Sequence, residues 1–395
     1  MLLVLASLGS VGNAAAPSVA AASGSPPVLA YYYMWFNAAS WTHTKTDLPS
    51  LGPYDSTDPA IIHQQVAWAK ASGVDAFIAS WKNTPTLDKA LAELVAECRS
   101  QGMKLVLIYE GLDVKRNPIP SSTVGADIVW FADHYGSDPV FDLYGKPAVV
   151  WSGSWQFSAT QIAAVRAQVG APDRLLLLGS EKDAASYAAR ASLFDGDAYY
   201  WSSADPLSTP GYQKRLTELS AAIHAGHGLW LAPAAVGFDA RLNGGTSIVD
   251  RRDGATLRQA WSDALATAPD GVALISWNEY TENSYVEPSR NYGLRYLQVL
   301  ASLTGAPGPA ASPSESPSAG STSASPAVAS ATPGGSAGAG NVGAGPSSPS
   351  YGKALGRSQP PYEWLGSVLV ALVLIGALAI LAINRRRRTE RTPNE

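Results

Sequence analysis

Between residues 27 and 304, short apolar runs alternate with longer segments in which apolar residues recur at helical spacing. Short continuous apolar runs are typical of strands that are buried on both faces of a parallel sheet. The runs predict strands at 28–33, 74–80, 104–109, 147–151, 174–178, 198–201, 229–232 and 272–277. The intervening segments predict helices at 59–71, 87–100, 122–135, 159–169, 183–192, 211–224, 255–267 and 292–303.

This alternation of strand and helix predicts a parallel sheet with an outer layer of helices. A (β/α)8 barrel has about 250 residues, so we predict an α/β fold, a (β/α)8 TIM barrel, over 27–304. Asp58-Pro59 is a typical helix start, with a capping side chain followed by proline. The alternative is an open doubly wound sheet. No glycine-rich phosphate loop follows the first strand, which disfavours a nucleotide-binding version.

The residues outside this domain have different patterns. Residues 1–22 are apolar and then alanine-rich, which predicts a signal peptide; the alternative is a disordered N-terminus. No basic residues precede the apolar stretch, so we expect the true start to lie upstream. Residues 305–361 are mostly Ser, Pro, Ala, Gly and Thr, a composition that cannot bury a core and predicts a disordered stalk.

Residues 364–383 are uncharged and long enough to cross a bilayer, which predicts one C-terminal transmembrane helix. Four arginines follow at 385–388. By the positive-inside rule, residues 384–395 form a basic cytoplasmic tail. The folded domain is therefore expected on the extracellular face of the cell membrane, with the N-terminus outside.

Composition narrows the choice of partners. The net charge of −4 is mild and gives no reason to expect a nucleic-acid partner. One cysteine, Cys98, excludes an intrachain disulfide. No Cys or His cluster has the spacing of metal ligands, so we expect neither a metal nor a cofactor.

The strongest candidate for chemistry is the run 271–288, in which an apolar strand ends in Trp277 and acidic residues follow. The carboxyl ends of strands carry the active site of a TIM barrel. Two carboxylates, Glu279 and Glu282, could perform acid/base work on a glycosidic bond. Residues three apart on a straight strand point to opposite faces, so both can face one pocket only if the chain turns after Trp277. The alternative is that Glu282 is a solvated loop charge.

Aromatic and polar residues recur where the other predicted strands end. The candidates for substrate binding are Tyr33, Trp35, His43, Trp81, Glu110, Trp151, Trp201, Asp239, Trp277, Asn278 and Tyr280. Any single ring could serve packing, but their recurrence at one end of the barrel, together with acids, favours a carbohydrate cleft. Glu110 could instead cap its loop, and Asp239 could instead pair with Arg241.

Several segments resemble glycoside hydrolase family 99, the endo-α-mannosidases and endo-α-mannanases. The segments are 31–36 (YYYMWF), 51–56 (LGPYDS), 68–75 (WAKASGVD) and 80–81 (SW). Residues 276–282 (SWNEYTE), followed by Glu287-Pro288, resemble that family's Trp-Asn-Glu-Trp-His-Glu-Gly run and its later Glu-Pro. Tyr280, Thr281 and Asn283 depart from the family pattern. The α-1,3-glucanases of family 71 also carry two acids three apart after a Trp-Asn pair.

The resemblance implies a retaining, endo-acting α-glycosidase. Glu279 would act as the base on the substrate's own 2-hydroxyl, giving a 1,2-anhydro sugar, and Glu282 would protonate the leaving oxygen. We therefore expect a membrane-anchored enzyme at the cell surface that cleaves an α-mannan-type polysaccharide or glycan. The alternatives are an endo-α-1,3-glucanase and a non-catalytic glycan-binding protein on the same barrel. Retention of both glutamates favours the enzyme.

Overall fold

The computed structural model describes residues 24–310. The predicted signal peptide, the transmembrane helix, the cytoplasmic tail and all of the predicted stalk after residue 310 lie outside the described residues. Within residues 24–310, no helix combines the length and apolar character needed to cross a membrane.

Eight parallel strands form the central sheet. They are β1 (Val28–Tyr33), β2 (Ala76–Trp81), β3 (Lys104–Glu110), β4 (Ala148–Ser152), β5 (Leu176–Leu178), β6 (Gly196–Ala198), β7 (Leu229–Ala235) and β10 (Gly271–Ile275). Their order is β5-β4-β3-β2-β1-β10-β7-β6. Gly179, directly after β5, forms a parallel bridge with Asp197 of β6, and its N–H donates to the Gly196 carbonyl at 2.9 Å. The two edges of the sheet therefore meet, and the predicted (β/α)8 barrel is confirmed.

Helices surround this barrel. They are α1 (Pro59–Ala71), α2 (Pro85–Gln101), α3 (Ser121–Tyr135), α4 (Ala159–Val169), α5 (Ala184–Ala188), α6 (Tyr212–Ala225), α7 (Ala255–Leu265) and α8 (Arg295–Thr304). The predicted start of α1 is confirmed, since the Asp58 side chain accepts from the Ala60 N–H and Pro59 follows it. Between β7 and α7 the chain forms an antiparallel hairpin of β8 (Phe238–Asp239) and β9 (Ile248–Val249).

Alternation along each strand divides the apolar residues into two packed layers. One cluster contains residues from all eight barrel strands, among them Leu29 and Ile78, and fills the barrel interior. The second cluster joins the opposite faces of the strands to the helices; Ala30 and Phe77 belong to it. Each strand residue therefore faces either the interior or the helix layer, and its position in the alternation decides which.

The sixth strand lies earlier than predicted, at Gly196–Ala198 instead of 198–201. Its central residue is the fully buried Asp197, a polar residue that a hydrophobic pattern does not assign to a strand. The aromatic residues at 199–201 follow the strand instead of forming it. The fifth helix is also shorter than predicted and is followed by a 3-10 turn at Ala191–Leu193.

Candidate active site

Residues 276–286, called here the acid loop, form a compact turn at the carboxyl end of β10. The two ends of the loop are joined, because the Ser276 N–H donates to the Ser284 carbonyl at 2.5 Å and the Val286 N–H donates to the Ser276 carbonyl at 3.0 Å. Inside the loop, the Glu279 N–H donates to the Ser276 hydroxyl oxygen at 2.9 Å. The chain thus turns where it must if Glu279 and Glu282 are to share a pocket.

The acid loop brings its two glutamates beside two tyrosines from other strand ends. The Tyr33 hydroxyl, at the end of β1, donates to the Tyr200 hydroxyl at 3.0 Å. Burial is the main cause of the raised pKa of both phenols, and the charges of Glu279 and Glu282 add to it. Glu110, at the end of β3, also raises the pKa of Tyr33. These five residues therefore converge on one space at the carboxyl end of the barrel.

Glu279 is buried, and hydrogen bonds oppose the effect of this burial on its pKa. Its side chain is 5% exposed, and burial raises its pKa. Its Oε1 accepts hydrogen bonds from the Thr281 N–H, at 2.9 Å, and from the Thr281 hydroxyl. Those hydrogen bonds, and after them the charge of Lys45, oppose the rise in pKa.

Glu282 differs from Glu279 in its hydrogen bonds and in the charges beside it. Burial in the cleft and the negative charge of Glu279 raise its pKa to about 8, and Glu110 adds to the rise while Arg116 opposes it. Within residues 24–310 its carboxylate accepts no hydrogen bond, whereas its backbone carbonyl accepts from the Asp239 N–H at 2.7 Å. The raised pKa favours the protonated form of Glu282, in which the residue can serve as an acid.

Asn278 fastens the acid loop to the first strand. Its Oδ1 accepts from the Tyr33 N–H at 2.8 Å, and its Nδ2 donates to the Tyr33 carbonyl at 3.0 Å and to the Tyr54 hydroxyl at 3.2 Å. The residue is fully buried. Its amide is thus used within the protein, which corrects the prediction that Asn278 contacts substrate.

Glu287 anchors the chain just after the acid loop. Its carboxylate accepts from the Tyr54 hydroxyl at 3.0 Å and from the Gln65 amide on α1 at 2.5 Å. Gln65 in turn accepts from the Tyr32 hydroxyl at 2.5 Å. Burial raises the pKa of Glu287 to about 7. Hydrogen bonds therefore connect the end of the acid loop to α1 and, through Gln65, to β1.

Four predicted aromatic contacts face away from the site. Trp81, Trp151, Trp201 and Trp277 belong to the layer between the barrel and the helices. Trp81 stacks on Trp130 with ring centres 5.7 Å apart, and Trp201 stacks on Tyr212 at 4.6 Å. Each of the four is at most 5% exposed. The prediction that they bind substrate is corrected, because all four side chains point outward into the helix layer.

Two further predictions are corrected by the partners that the side chains already have. Tyr280 is fully buried and stacks on Tyr285 with ring centres 4.1 Å apart. Asp239 binds Arg241 through both carboxylate oxygens, with an Nη2–Oδ2 distance of 2.6 Å and an Nε–Oδ1 distance of 3.0 Å. That pairing lowers the pKa of Asp239. The Asp239–Arg241 ion pair was one of the two alternatives for Asp239, and it shapes the β8–β9 hairpin.

The remaining predicted residues stay candidates for substrate contact. Tyr33 is 7% exposed and packs on the partly exposed Trp35 with ring centres 4.4 Å apart. Glu110 is partly exposed and accepts from the Ser80 hydroxyl at 3.0 Å. His43 is exposed in the loop between β1 and α1.

Three residues near the acids were missed in the sequence. Lys45, two positions after His43, acts electrostatically on Glu279. Thr281, which replaces a family histidine, supplies the hydrogen bonds to Glu279. Tyr200 was assigned to the end of a strand that in fact ends at Ala198. The first two could have been identified from their closeness to candidates in the sequence. Tyr200 could not, because the sixth strand was misplaced.

Among residues 24–310, no group of three or more His, Cys, Asp or Glu side chains is placed to hold a metal ion.

The fold resembles solved glycoside hydrolase structures. The GH99 endo-alpha-mannosidase from Bacteroides thetaiotaomicron, in complex with BIS-TRIS-propane, is 19% identical over 71% of this chain and 97% of that chain, with a TM-score of 0.63. A second structure of that enzyme is 18% identical over 70% of this chain and 96% of that chain, with a TM-score of 0.61. A "glycoside hydrolase-like protein" is 15% identical over 71% and 94%, with a TM-score of 0.56. At these identities the likeness is one of fold.

The sequence comparison gives the family. No curated protein matches this chain. The model of glycosyl hydrolase family 71 matches residues 53–298, which include the acid loop and seven of the eight barrel strands. Because this match spans more than half of the 395 residues, the chain belongs to glycosyl hydrolase family 71 and is a glycoside hydrolase.

Proposed function

We propose that this protein is an endo-acting hydrolase of an α-linked polysaccharide, with Glu279 as the base and Glu282 as the general acid. One observation carries the proposal: the acid loop directs two glutamates into the same space but gives side-chain hydrogen bonds to only one of them. Hydrogen bonds from Thr281 stabilise the charge on Glu279. Burial and the charge of Glu279 raise the pKa of Glu282 to about 8. Two carboxyl groups whose pKa values are separated by their environments are the usual basis for dividing acid and base roles.

The chemical step follows from these protonation states. Glu282 donates its proton to the glycosidic oxygen as the bond to the anomeric carbon breaks. Glu279 accepts the proton of the neighbouring 2-hydroxyl, which in an α-mannoside lies trans to the leaving oxygen, and the hydroxyl oxygen then closes on the anomeric carbon. Water opens the resulting 1,2-anhydro sugar: ionised Glu282 takes a proton from the water, and Glu279 returns its proton to the sugar oxygen. Two successive inversions leave the α-configuration of the product unchanged.

The family match favours α-1,3-glucan as the polymer. The 2-hydroxyl of an α-glucoside lies cis to the leaving oxygen and cannot displace it, so on this polymer Glu279 acts as the base for an attacking water and the product is inverted. Family 71 contains α-1,3-glucanases, and the acid loop departs from the family 99 motif at Tyr280, Thr281 and Asn283. An α-mannan is the second candidate, because the structural neighbours that cover the barrel include an endo-alpha-mannosidase.

The test uses purified protein with Glu279→Gln, Glu282→Gln and a control, Glu218→Gln, on the exposed surface of α6. Each is incubated with α-1,3-glucan and with branched α-mannan, and the products are sized and followed by NMR. We expect oligosaccharides from the wild type and from the control, with the α-configuration from α-mannan and the inverted configuration from α-1,3-glucan. Each active-site variant should lose about 10²–10⁴-fold in kcat. Activity retained by Glu282→Gln, products of inverted configuration from α-mannan, or products of retained configuration from α-1,3-glucan would reject the proposed roles.

We also propose that residues 364–383 anchor the enzyme in the cell membrane with the barrel outside. The support is the uncharged stretch followed by arginines 385–388. Cell fractionation would compare the full chain with a variant ending at residue 361. We expect the full chain in the membrane fraction, where protease added to intact cells removes the barrel, and the shortened variant in the medium. Recovery of the full chain from the soluble cytoplasm would refute the proposal.

A further inference from the structure

Arg251 is a buried cation directly behind the acid loop. It follows β9 and is 6% exposed. Among residues 24–310 no carboxylate forms an ion pair with it, and its Nε and Nη1 atoms are buried without a hydrogen-bond partner. Burying a charge without a counter-ion costs folding stability. Groups that break such a local rule are expected at functional sites.

Three tyrosine rings surround this guanidinium. Its central carbon lies 4.5 Å from the ring centre of Tyr285, 4.7 Å from that of Tyr292 and 4.5 Å from that of Tyr296. Cation–π contacts of this kind stabilise a desolvated arginine and restrict its plane. Tyr285 belongs to the acid loop, and the other two lie at or beside the start of α8. Arg251 therefore has little freedom to move.

The guanidinium hydrogen-bonds the residue that follows Glu282. Its Nη2 donates to the Asn283 carbonyl at 2.9 Å and to the Asn283 side-chain oxygen at 3.4 Å. Asn283 has a φ of 50°, in the left-handed region that residues with a side chain rarely adopt. A hydrogen bond from a charged donor is stronger than a neutral one, so it can hold this conformation in place.

The peptide before Asn283 is held from the same side. The Glu282 carbonyl accepts from the Asp239 N–H of β8 at 2.7 Å. Two successive carbonyls are thus fixed: that of Glu282 by the β8–β9 hairpin, and that of Asn283 by Arg251. These two peptide planes flank Asn283, so its left-handed turn is fixed, and the plane that Asn283 shares with Glu282 restricts the direction of the Glu282 Cα–Cβ bond.

We propose that Arg251 is a positioning residue that holds Asn283 in its left-handed turn and so aims the Glu282 carboxyl at the substrate. For its effect on catalysis the inference rests on the proposed function of Glu282. A lysine could keep the charge near the rings, but it lacks the planar guanidinium that the three rings hold and whose Nη2 reaches Asn283. A cavity of about 370 Å³ beside Arg251, lined by the hairpin, Asn283 and Tyr292, leaves space into which an unsupported turn could relax.

The experiment compares the full-length protein with Arg251→Gln and Arg251→Lys. The matched control is Arg258→Gln, which removes an exposed arginine from α7. A second control, Leu94→Ala on α2, lowers stability at a site remote from the acid loop. Hydrogen exchange of peptides covering residues 276–286 is measured by mass spectrometry, and kcat and KM are measured on the polysaccharide that the wild type cleaves.

We expect both Arg251 variants to exchange about tenfold faster at residues 283–285. Their kcat should fall by about 100-fold with little change in KM, as for a misplaced reacting group. Neither control should change exchange in this segment. Unchanged exchange at 283–285 in both variants would overturn the proposal, as would Arg251→Lys with full kcat. Should Arg251→Gln fail to fold, the hydrogen exchange and kcat of Arg251→Lys alone decide whether the proposal holds. Should the wild type cleave no polymer, the proposed function fails while the exchange data still test the positioning of the turn.

Discussion

At the scale of single residues, the site depends on hydrogen bonds that reach one glutamate and not the other. Glu279 receives two from Thr281. Glu282, three positions later, receives none among the described residues and lies beside two other negative charges, those of Glu279 and Glu110. The pair is electrostatically coupled, so a pH–rate profile reports two apparent pKa values for the site as a whole.

The hydroxyl of Thr281 can be removed without changing side-chain size by Thr281→Val. Its hydrogen bond to Glu279 lowers the pKa of that carboxyl, so its loss raises the pKa, and the base becomes ionised only at higher pH. We expect the acidic limb of the profile of kcat/KM against pH to move to higher pH, while the alkaline limb stays in place. Thr217→Val, on the exposed face of α6, is the control. An unmoved acidic limb would show that Glu279 is not the base.

The alkaline limb belongs to Glu282, whose pKa is raised to about 8. Activity should fall as pH rises through about 8, because the acid then loses its proton. The negative charge of Glu110 contributes to the raised pKa. Glu110→Gln should therefore lower the pKa of Glu282 and move the alkaline limb to lower pH. An alkaline limb that moves upward in this variant, or not at all, would contradict the role assigned to the Glu110 charge.

At the scale of elements, the site depends on the junction between β1 and the acid loop. Three hydrogen bonds from the buried amide of Asn278 connect the loop to the Tyr33 backbone and to the Tyr54 hydroxyl. No other described side chain bonds the Tyr33 N–H. Removing the amide therefore leaves buried backbone groups unpaired, which is expensive.

We expect Asn278→Ala to lower the free energy of unfolding by about 3 kcal/mol, because an unpaired buried polar group costs about 1–3 kcal/mol. Chemical denaturation measures the change. Asn117→Ala is the control, since Asn117 is exposed and bonds only within its own loop. Activity should fall together with stability, because Tyr33 lies in the site. A variant as stable as the control would mean that the junction is formed by other contacts.

The sequence predicted the order and type of the elements well, because a buried parallel sheet and amphipathic helices have strong and different periods. The direction of strand-end side chains was harder to predict. Trp81 and Glu110 each end a strand, yet the former faces the helices and the latter faces the site. Counting alternate positions from Ile78, which is inside the barrel, would have placed Trp81 outside. Residues brought in by loops, such as Lys45 and Tyr200, lie beyond such counting, since their positions depend on tertiary packing.

At the scale of the whole molecule, buried acids link stability to pH. Glu287 is 2% exposed, and its pKa is raised from 4.5 to about 7. Between these values the unfolded chain has lost its proton while the folded chain keeps it, so stability falls as pH rises through this window. This loss of folding stability persists above pH 7. A shift of this size corresponds to on the order of 3 kcal/mol.

The prediction is tested with Glu287→Gln, which cannot ionise but still fits between Tyr54 and Gln65. The free energy of unfolding is measured in urea at pH 5 and at pH 8. We expect it to fall less from pH 5 to pH 8 in the variant than in the wild type, by about 2–3 kcal/mol. Glu218→Gln, which removes an exposed carboxylate from α6, should behave as the wild type does. An equal fall in the wild type and Glu287→Gln would show that Glu287 is ionised in the folded protein at pH 5.

Closure of the barrel also has a consequence for biosynthesis. The first strand pairs with the last, Val28 with Val272, and the Tyr33 backbone binds a side chain 245 positions later. While the chain is being translated, β1 leaves the ribosome long before its partner exists. The ribosome must therefore release nearly the whole barrel before the two glutamates and the tyrosines can meet. A chain that ends before β10 and the acid loop lacks both glutamates and cannot cut glycans, so hydrolytic capacity appears only after those residues have been made.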